Sequence, residues 1–477
     1  MFNHLEFASK EKSMLIAPAG FGKTHTIAEC LKTINIKGKQ LILTHTHAGV
    51  ASIKEKIKKE GILNSNFEVE TITSFAQKYV LAFYTVTDLP DQENSKFYYP
   101  FIIEKANILF KIKPIRQIIS NTYKGLFVDE YQDCTLGQHS LVLSLSELLP
   151  THILGDFLQG IFGFNGEQLV DLNDELVMKG FIDSKYELDK PQRWLNGNNA
   201  LLGADLKSIR EDLISRNEVD LKKYTSIELK LIAELDLYNP TTDYCKQIRN
   251  LLKEKNVLLL HPDSTSIHPR LKIIKTFNNG FTLVESIDDK EFYILAKEAD
   301  LLTKENIRIK LIGLCPKLFN KTGIAIWFNA KGIKNKTKSQ DKVKLKPVEI
   351  QINSLKTKFS FLNFAKLLKS IKELTDIKCY RNKLFYTFCK ALEDAEIQNI
   401  SVLESMNNKR NMTRRIGRKI SGRCIGTTLL TKGLEFDTVA ILNAHKFDCP
   451  KHLYVAMTRA SKRLIIFTDK PNLNPYK

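Results

Sequence analysis

The segment APAGFGKT has the residue types of a phosphate-binding loop. Gly20 and Gly22 leave the backbone free to turn its N–H groups toward an anion. Lys23 can reach the β- and γ-phosphates of a nucleotide, and Thr24 can hold Mg²⁺. A strand-like SMLI precedes the loop and a helical run follows it, so the segment predicts a nucleotide site. The residues expected around the phosphates are Ala17 (where the generic pattern has Gly), Pro18, Ala19, Gly20, Phe21, Gly22, Lys23 and Thr24.

A second segment, LFVDEYQD, places acidic residues at the tip of an apolar strand. Asp129 is expected to lie beside the magnesium ion together with Thr24. Glu130 is then free to polarise an attacking water as a general base. A solvated acidic strand end would look similar in isolation, but after a phosphate loop the pattern favours nucleotide hydrolysis.

Strands must position these segments, and the chain supplies apolar runs in a regular order. SMLI, QLILTH, KGLFVDE and HILGD alternate with amphipathic stretches, and the rhythm returns at NVLLLHP, DTVAILN and RLIIFTD. Strands that alternate with helices predict βαβ units and a parallel sheet. We therefore expect an α/β fold with two such units, the second interrupted by a long insertion.

The composition is that of a globular protein with a strong positive charge. Among 477 residues, 72 are Lys or Arg and 53 are Asp or Glu, which gives a formal net charge of +19. A polyanion such as nucleic acid is the expected partner. No apolar run approaches the length of a membrane-spanning helix or the core of a signal peptide. The eight cysteines are scattered. We expect reduced thiols, a cytoplasmic location and no membrane partner.

Two segments concentrate the excess positive charge. Lys331–Lys346 carries seven Lys and one Asp, and Lys409–Arg423 carries seven Lys or Arg and no acid. A Lys-rich segment is typical of a mobile, solvated loop. Two such segments could also form the surface that binds the phosphate backbone of a nucleic acid. The sequence leaves both interpretations open.

APAGFGKT and DEYQD together resemble the UvrD/Rep branch of the superfamily 1 DNA helicases. Six further segments resemble the motifs of that family in order: LTHTHAGVAS, ETITSFA, LGDFLQGIFGFNGE, LDKPQRW, TTLLTKGLEFD and LYVAMTRA. The resemblance implies a P-loop NTPase of two RecA-like parallel-sheet lobes. The first lobe would cover residues 1–185, with a short 1B-like insertion near 80–120. The second would combine 186–304 and 412–477 around a Lys-rich 2B-like insertion at 305–411.

The resemblance also assigns roles around a cleft between the lobes. Gln159 would sense the γ-phosphate of ATP. Arg193 and Arg459 would reach the same phosphate from the second lobe as arginine fingers. Glu435 would contact the ribose. ATP and Mg²⁺ are therefore the implied ligands.

For single-stranded DNA, stacking on aromatic side chains is the usual sequence-tolerant contact. By resemblance, Phe164 occupies the family's stacking position. Phe75 could either contact DNA or pack in the core. Thr44, His47 and Thr71 are candidates for contacts with the DNA backbone.

Several positions depart from the family pattern. No glutamine precedes Gln40, and Gln192 stands where the family has a base-stacking tyrosine, so adenine selectivity is in question. Trp194 is an alternative stacking partner. Asn165 replaces an Arg and Leu429 replaces a His, which puts coupling to the DNA strand in question.

The resemblance implies an ATP-dependent translocase or helicase that acts on single-stranded or tailed duplex DNA with 3′ to 5′ polarity. An alternative is a DNA-dependent nucleotide switch that regulates a partner nuclease and unwinds little alone. The short insertions favour that alternative, since the compact plan is similar to the helicase subunit of the Gabija phage-defence system, which works beside an OLD-family nuclease. The pathway, DNA repair or antiviral defence, stays open. A non-enzymatic basic DNA-binding protein conflicts with the set of catalytic residues.

Overall fold

The structure is a computed structural model of the 477-residue chain. It describes residues 2–33, 38–85, 89–92, 94–163, 168–285, 290–330, 332–416 and 420–476, with the backbone alone for 414–416. The chain divides into two compact units, one formed by Met1–Val284 with Arg414–Lys477 and the other by Glu285–Thr413. None of the described helices combines the length and apolarity needed to cross a membrane. The cysteines are free thiols, as expected.

The first lobe contains a sheet of six strands: β1 (Lys12–Ile16), β2 (Lys39–Thr44), β3 (Phe67–Thr71), β4 (Tyr123–Val128), β5 (Thr151–Gly155) and β6 (Lys185–Glu187). Their order is β3-β2-β4-β5-β1-β6, and all pairs are parallel. Helices cover both faces of such a sheet, so its central strands are continuously apolar. In β4, Leu126, Phe127 and Val128 are fully buried. The carboxyl ends of β1, β2, β4 and β5 meet at one edge, where ligands bind in α/β sheets.

The helices of the first lobe are α1 (His4–Ser9), α2 (Lys23–Thr33), α3 (His47–Lys59), α4 (Ile72–Phe83), α5 (Ser95–Leu109), α6 (Lys113–Thr122) and α7 (Leu136–Ser146). Threonine caps fix where three of them begin, because a cap hydroxyl accepts a hydrogen bond from a free backbone N–H. Thr46 caps α3, Thr71 caps α4 and Thr135 caps α7. These caps set the direction in which each helix leaves the sheet edge.

The second lobe starts with α8 (Gln192–Asn196), α9 (Ala200–Ile214), β7 (Val219–Asp220), β8 (Ile227–Leu231), α10 (Asp243–Leu251), β9 (Val257–Leu260), α11 (His268–Thr276) and β10 (Thr282–Leu283). The unit Glu285–Thr413 then follows and is mainly helical. Its elements are α12 (Lys290–Asp300), α13 (Ile307–Leu318), α14 (Lys321–Trp327), β11 (Phe328–Asn329), β12 (Gly332–Ile333), α15 (Ser339–Thr357), α16 (Phe361–Lys372), α17 (Asn382–Gln398) and α18, which continues past the unit (Val402–Ile416).

The Lys-rich segment Lys331–Lys346 differs from its solvated-loop interpretation. From Ser339 onward it forms the first part of α15. Leu345, Val348 and Ile352 of this helix are buried, and the lysines occupy the other face. The loop interpretation is therefore wrong for the second half of the segment, because an amphipathic helix presents its charges to solvent and its apolar stripe to a core.

The chain returns to the second lobe with β13 (Arg423–Gly426), α19 (Thr428–Thr431), β14 (Phe436–Ile441), α20 (Pro450–Met457), β15 (Ala460–Thr468) and β16 (Asn472–Leu473). The main sheet has the order β10-β13-β9-β14-β15-β8 and is parallel throughout. Strand β13 pairs with β9, with Cys424 opposite Leu258, although the helical unit separates them in sequence. Two parallel six-stranded sheets confirm the predicted α/β fold with two lobes.

Candidate active site

The loop APAGFGKT connects β1 to α2 and turns through two glycines with positive φ. Gly20 has φ +75° and Gly22 has φ +103°, a region that other residues avoid. A Cβ at Gly20 would lie 2.8 Å from the ring of Trp194, which packs beneath the loop. The Lys23 ammonium donates to the carbonyl of Ala17 at 2.6 Å. The loop thus has the open backbone and the nearby cation that bind phosphate.

Asp129 and Glu130 follow β4, as the sequence predicts. The Thr24 hydroxyl donates to Asp129 at 3.2 Å, so a hydroxyl and a carboxylate meet beside the loop. Such oxygens are the ligands that Mg²⁺ prefers, and the two residues fit a magnesium site. Burial, reinforced by the negative charge of Glu130, raises the pKa of Asp129. A divalent cation would remove that penalty.

Glu130 is held in a conformation uncommon for a non-glycine residue, with φ +58°. Its carboxylate accepts a hydrogen bond from the Gln132 amide at 2.5 Å. Burial by itself would raise the pKa of Glu130, but the positive charges of Lys432 and Lys23 outweigh it and lower that pKa. Glu130 is therefore an ionised carboxylate at neutral pH, the state that a general base requires.

Both predicted arginine fingers reach this region from the second lobe. Arg459 follows α20, is buried, and its guanidinium donates to the Gln159 amide oxygen at 3.4 Å. It also donates to the carbonyls of Val455 and Leu434. Burial lowers the pKa of Arg459 to about 10, with a smaller contribution from Arg193, so the side chain remains a cation at neutral pH.

Arg193 lies on α8 and pairs with Glu435, with 2.7 Å between its guanidinium nitrogen and the carboxylate. The charge of Arg193 is the main cause that lowers the pKa of Glu435 to about 2. Arg193 also donates to the backbone carbonyl of Thr458. In this structure Glu435 therefore orients an arginine, and its expected contact with a ribose stays a prediction.

Gln159 is fixed by a buried carboxylate that sequence reasoning did not single out. The Gln159 amide donates to Asp156 at 2.9 Å, and Asp156 also pairs with Arg210 of α9 at 3.1 Å. Tyr454, from α20, accepts a hydrogen bond from the backbone N–H of Ala19 at 3.3 Å. Polar contacts between the lobes therefore surround the phosphate loop.

Lys432 is another residue that received no role from the sequence. It is 2% exposed, and its ammonium donates to the Asp133 carboxylate and to the backbone carbonyl of Gln159. Lys432 and Asp133 both lie inside motif matches, TTLLTKGLEFD and LFVDEYQD. The position of Lys432 within a helicase-like motif was the signal in the sequence that could have identified it. The spacing along the chain does not show that Lys432 and Asp133 would pair.

These residues enclose one cavity of about 490 Å³ between the two sheets. Its walls contain most of the predicted nucleotide and hydrolysis residues: Ala19, Gly20, Gly22, Lys23, Thr24, Asp129, Glu130, Gln159, Arg193, Glu435 and Arg459. Ala17 and Phe21 are buried under the loop. The size suits a nucleotide, since small-molecule pockets begin at about 300 Å³.

Among the described residues expected to contact DNA, Thr44 and Thr71 are paired in register at the ends of β2 and β3, and His47 follows Thr44 by three residues. Thr44 lines the same cavity, and Thr71 is committed to capping α4. His47 is the partly exposed first residue of α3. Phe164 and its neighbour Asn165 lie outside the described residues.

Two aromatic residues pack inside the protein. Phe75 is fully buried against Tyr79, Phe110 and Tyr123, so this structure favours packing in the core over a contact with DNA. Trp194 is 1% exposed, and its indole N–H donates to the Ala460 carbonyl at 2.9 Å. Stacking of Trp194 on a nucleotide base is therefore excluded in this conformation.

Comparison with known proteins found two family models that match parts of the chain. Residues 5–165 match an AAA domain, and residues 349–468 match the viral superfamily 1 RNA helicase core domain. A curated relative is an ATP-dependent helicase/nuclease subunit of Lactococcus lactis subsp. cremoris (strain SK11). It is 27% identical over 149 residues, which cover 30% of this chain and 12% of that protein.

Two solved structures of the helicase nonstructural protein 10 of an arterivirus, one with DNA, also resemble the chain. Each is 11% identical and has a TM-score of 0.34 over 97% of this chain. The matches cover 62% and 61% of the arterivirus chains.

Proposed function

We propose, on the premise that this chain is a superfamily 1 helicase, that it hydrolyses ATP to move along single-stranded DNA and to separate a duplex. The expected polarity is 3′ to 5′, as in the UvrD/Rep branch that its motifs resemble. The observation that carries the proposal is that the phosphate loop, Glu130 and Arg459 line one cavity, although they come from different lobes.

Each side chain has a role that follows from its position. The loop backbone and Lys23 hold the β- and γ-phosphates, and Thr24 and Asp129 hold Mg²⁺, which neutralises phosphate charge when bound. Glu130 accepts a hydrogen bond from the attacking water and takes its proton. Arg193 and Arg459 stabilise the negative charge that develops on the transferred phosphoryl group.

The motor action follows from the way the site residues are distributed between the two lobes. The phosphate-binding residues belong to the first lobe, and the arginines belong to the second. Only a closed cleft brings both sets of residues to the same phosphate. Each hydrolysis cycle therefore closes the cleft and then opens it again. A strand bound across both lobes would be moved by that cycle.

The first test is ATP hydrolysis by the purified chain at low salt, with and without a single-stranded DNA oligonucleotide. We expect strong stimulation by DNA, and we expect Glu130→Gln to abolish it while nucleotide binding persists. Duplexes with a 3′ or a 5′ tail then report polarity, and only the 3′-tailed substrate should unwind. Hydrolysis that ignores single-stranded DNA would contradict the proposal.

A second candidate is a nucleotide switch that controls a partner nuclease and unwinds little alone. Two observations favour it: the relative in Lactococcus lactis is named as part of a helicase/nuclease, and in the described chain only α5 and α6 separate α4 from β4. Efficient unwinding of a 3′-tailed duplex by the chain alone would exclude this candidate. Hydrolysis that depends on an added nuclease would favour it.

A further inference from the structure

Lys432 directly follows α19 in the second lobe, but the acceptors of its ammonium are in the first lobe. One is the Asp133 carboxylate, which follows β4, and another is the backbone carbonyl of Gln159. The nearer Glu130 carboxylate oxygen is 3.8 Å away. The side chain is 1% exposed, so these groups take the place of water around the charge.

The acceptors are parts of the hydrolytic edge of the first lobe. The other oxygen of Asp133 accepts the backbone N–H groups of Ile161 at 3.1 Å and of Phe162 at 3.3 Å. Asp133 thereby joins the segment after β4 to the turn that carries Gln159. The ammonium of Lys432 sits at this junction, 4.9 Å from the centre of the Phe162 ring.

The segment that carries Lys432 is also connected to both arginines. The carbonyl of Leu434 accepts a hydrogen bond from Arg459 at 3.1 Å, and Glu435 pairs with Arg193. At the start of α19, Thr428 shares a hydrogen bond with His452 of α20, the helix that precedes Arg459. The segment that carries Lys432 therefore contacts both arginines and, through the Lys432 ammonium, the first lobe.

We infer that Lys432 is a positioning residue that fastens the arginine-bearing segment of the second lobe to the hydrolytic edge of the first, so that hydrolysis requires closed lobes. This rests on the proposed function and deepens it, because it names the contact through which closure of the cleft would control ATP turnover. If Lys432 only neutralised the buried carboxylate of Asp133, its contacts with Gln159 and Glu130 would not matter for ATP turnover.

The test compares Lys432→Met with the double variant Lys432→Met/Asp133→Asn. The single variant leaves a buried carboxylate without its cation, which destabilises the fold. In the double variant the amide oxygen introduced at position 133 can still accept the two backbone N–H groups, so we expect the thermal midpoint to recover. Turnover should not recover, because neither variant restores the link to Gln159.

In both variants we expect kcat for DNA-stimulated ATP hydrolysis to fall by about 100-fold, the cost of misplacing catalytic groups. The KM for ATP and the affinity for a fluorescent ATP analogue should stay within about threefold, since the Lys432 ammonium donates to Asp133 and to the carbonyl of Gln159 although the residue lines the cavity. Lys462→Met, which breaks an exposed ion pair with Asp437 in the same lobe, is the control and should leave kcat unchanged.

The outcomes separate the inference from the proposed function. A wild-type chain without DNA-stimulated hydrolysis would overturn the proposed function itself. An active wild type together with a fully active double variant would overturn only the inference, because Lys432 would then do no more than neutralise Asp133. Equal losses in kcat and in nucleotide affinity would overturn it as well.

Discussion

The buried guanidinium of Arg459 comes from the second lobe and contacts the side chain of the proposed γ-phosphate sensor, Gln159. It donates to Gln159 at 3.4 Å and otherwise to groups of its own lobe. We expect Arg459→Ala to lower kcat by about 10³-fold, because an arginine finger contributes at least that much to phosphoryl transfer. The measurement is steady-state ATP hydrolysis at saturating single-stranded DNA.

Arg463→Ala is the matched control, since Arg463 lies on β15 and pairs with Glu228 and Glu254, away from the cavity. It should keep the wild-type kcat. If Arg459→Ala turned over ATP as fast as the wild type, the chemistry proposed for the cleft would be wrong.

At the residue scale, the sequence predicts which residues lie together where one segment holds them, whereas their roles in catalysis stay predictions. The loop around Lys23 and the pair Asp129 and Glu130 are such cases. Sequence reasoning failed where a partner comes from a distant segment, as with Lys432 and Asp133, because spacing along the chain carries no information on that pairing. Phe75 shows a related limit, because the sequence does not distinguish a buried phenylalanine from one that faces DNA.

Among the elements, the short helix α8 and the phosphate loop depend on each other. Gly20 and Gly61 have the same φ of +75°, but a Cβ at Gly20 would meet the Trp194 ring at 2.8 Å, while a Cβ at Gly61 would meet nothing within 4 Å. We expect Gly61→Ala to cost about 1 to 2 kcal/mol in free energy of unfolding, because alanine is strained in the left-handed backbone region.

Gly20→Ala should cost about 1 to 3 kcal/mol more, since a buried ring must also move. It should also weaken binding of a fluorescent ATP analogue, which Gly61→Ala should leave intact. Urea unfolding and analogue titration measure the two effects. Equal stability losses in the two variants would show that Trp194 does not constrain the loop.

The elements of the two lobes were predictable because apolar runs in parallel sheets are continuous and easily recognised. The helix α15 was not predicted, although Leu345, Val348, Ile352 and Leu355 have helical spacing and are buried. The lysines between these residues dominate the composition of the segment and conceal its apolar helical pattern. The extent of the 1B-like and 2B-like insertions stays a prediction.

For the whole molecule, the net charge of +19 predicts that DNA binding depends strongly on salt. The backbone of α18 reaches Arg414 and Arg415, whereas Arg418 and Lys419 lie outside the described residues. We expect replacement of these four residues by Gln to lower the slope of log K against log salt by about 3 for single-stranded DNA, at about 0.7 per phosphate contact. Fluorescence anisotropy at several salt concentrations measures this slope.

The control removes four lysines on the outer face of α15, namely Lys342, Lys344, Lys346 and Lys356. A smaller change in slope for these lysines would place the DNA footprint on the segment Lys409–Arg423. An unchanged slope after replacement of Arg414, Arg415, Arg418 and Lys419 would assign that segment to a solvated surface.

The second lobe is assembled from two stretches of chain that are far apart in sequence, and this constrains the order of folding during synthesis. Strand β15 lies between β14 and β8, so β8 has no neighbour in the sheet until β15 has been made. A ribosome would release a nearly complete first lobe, with its phosphate loop, long before Lys432 and Arg459 exist. Since domains fold as they emerge, the nascent chain can bind a nucleotide well before it can hydrolyse one.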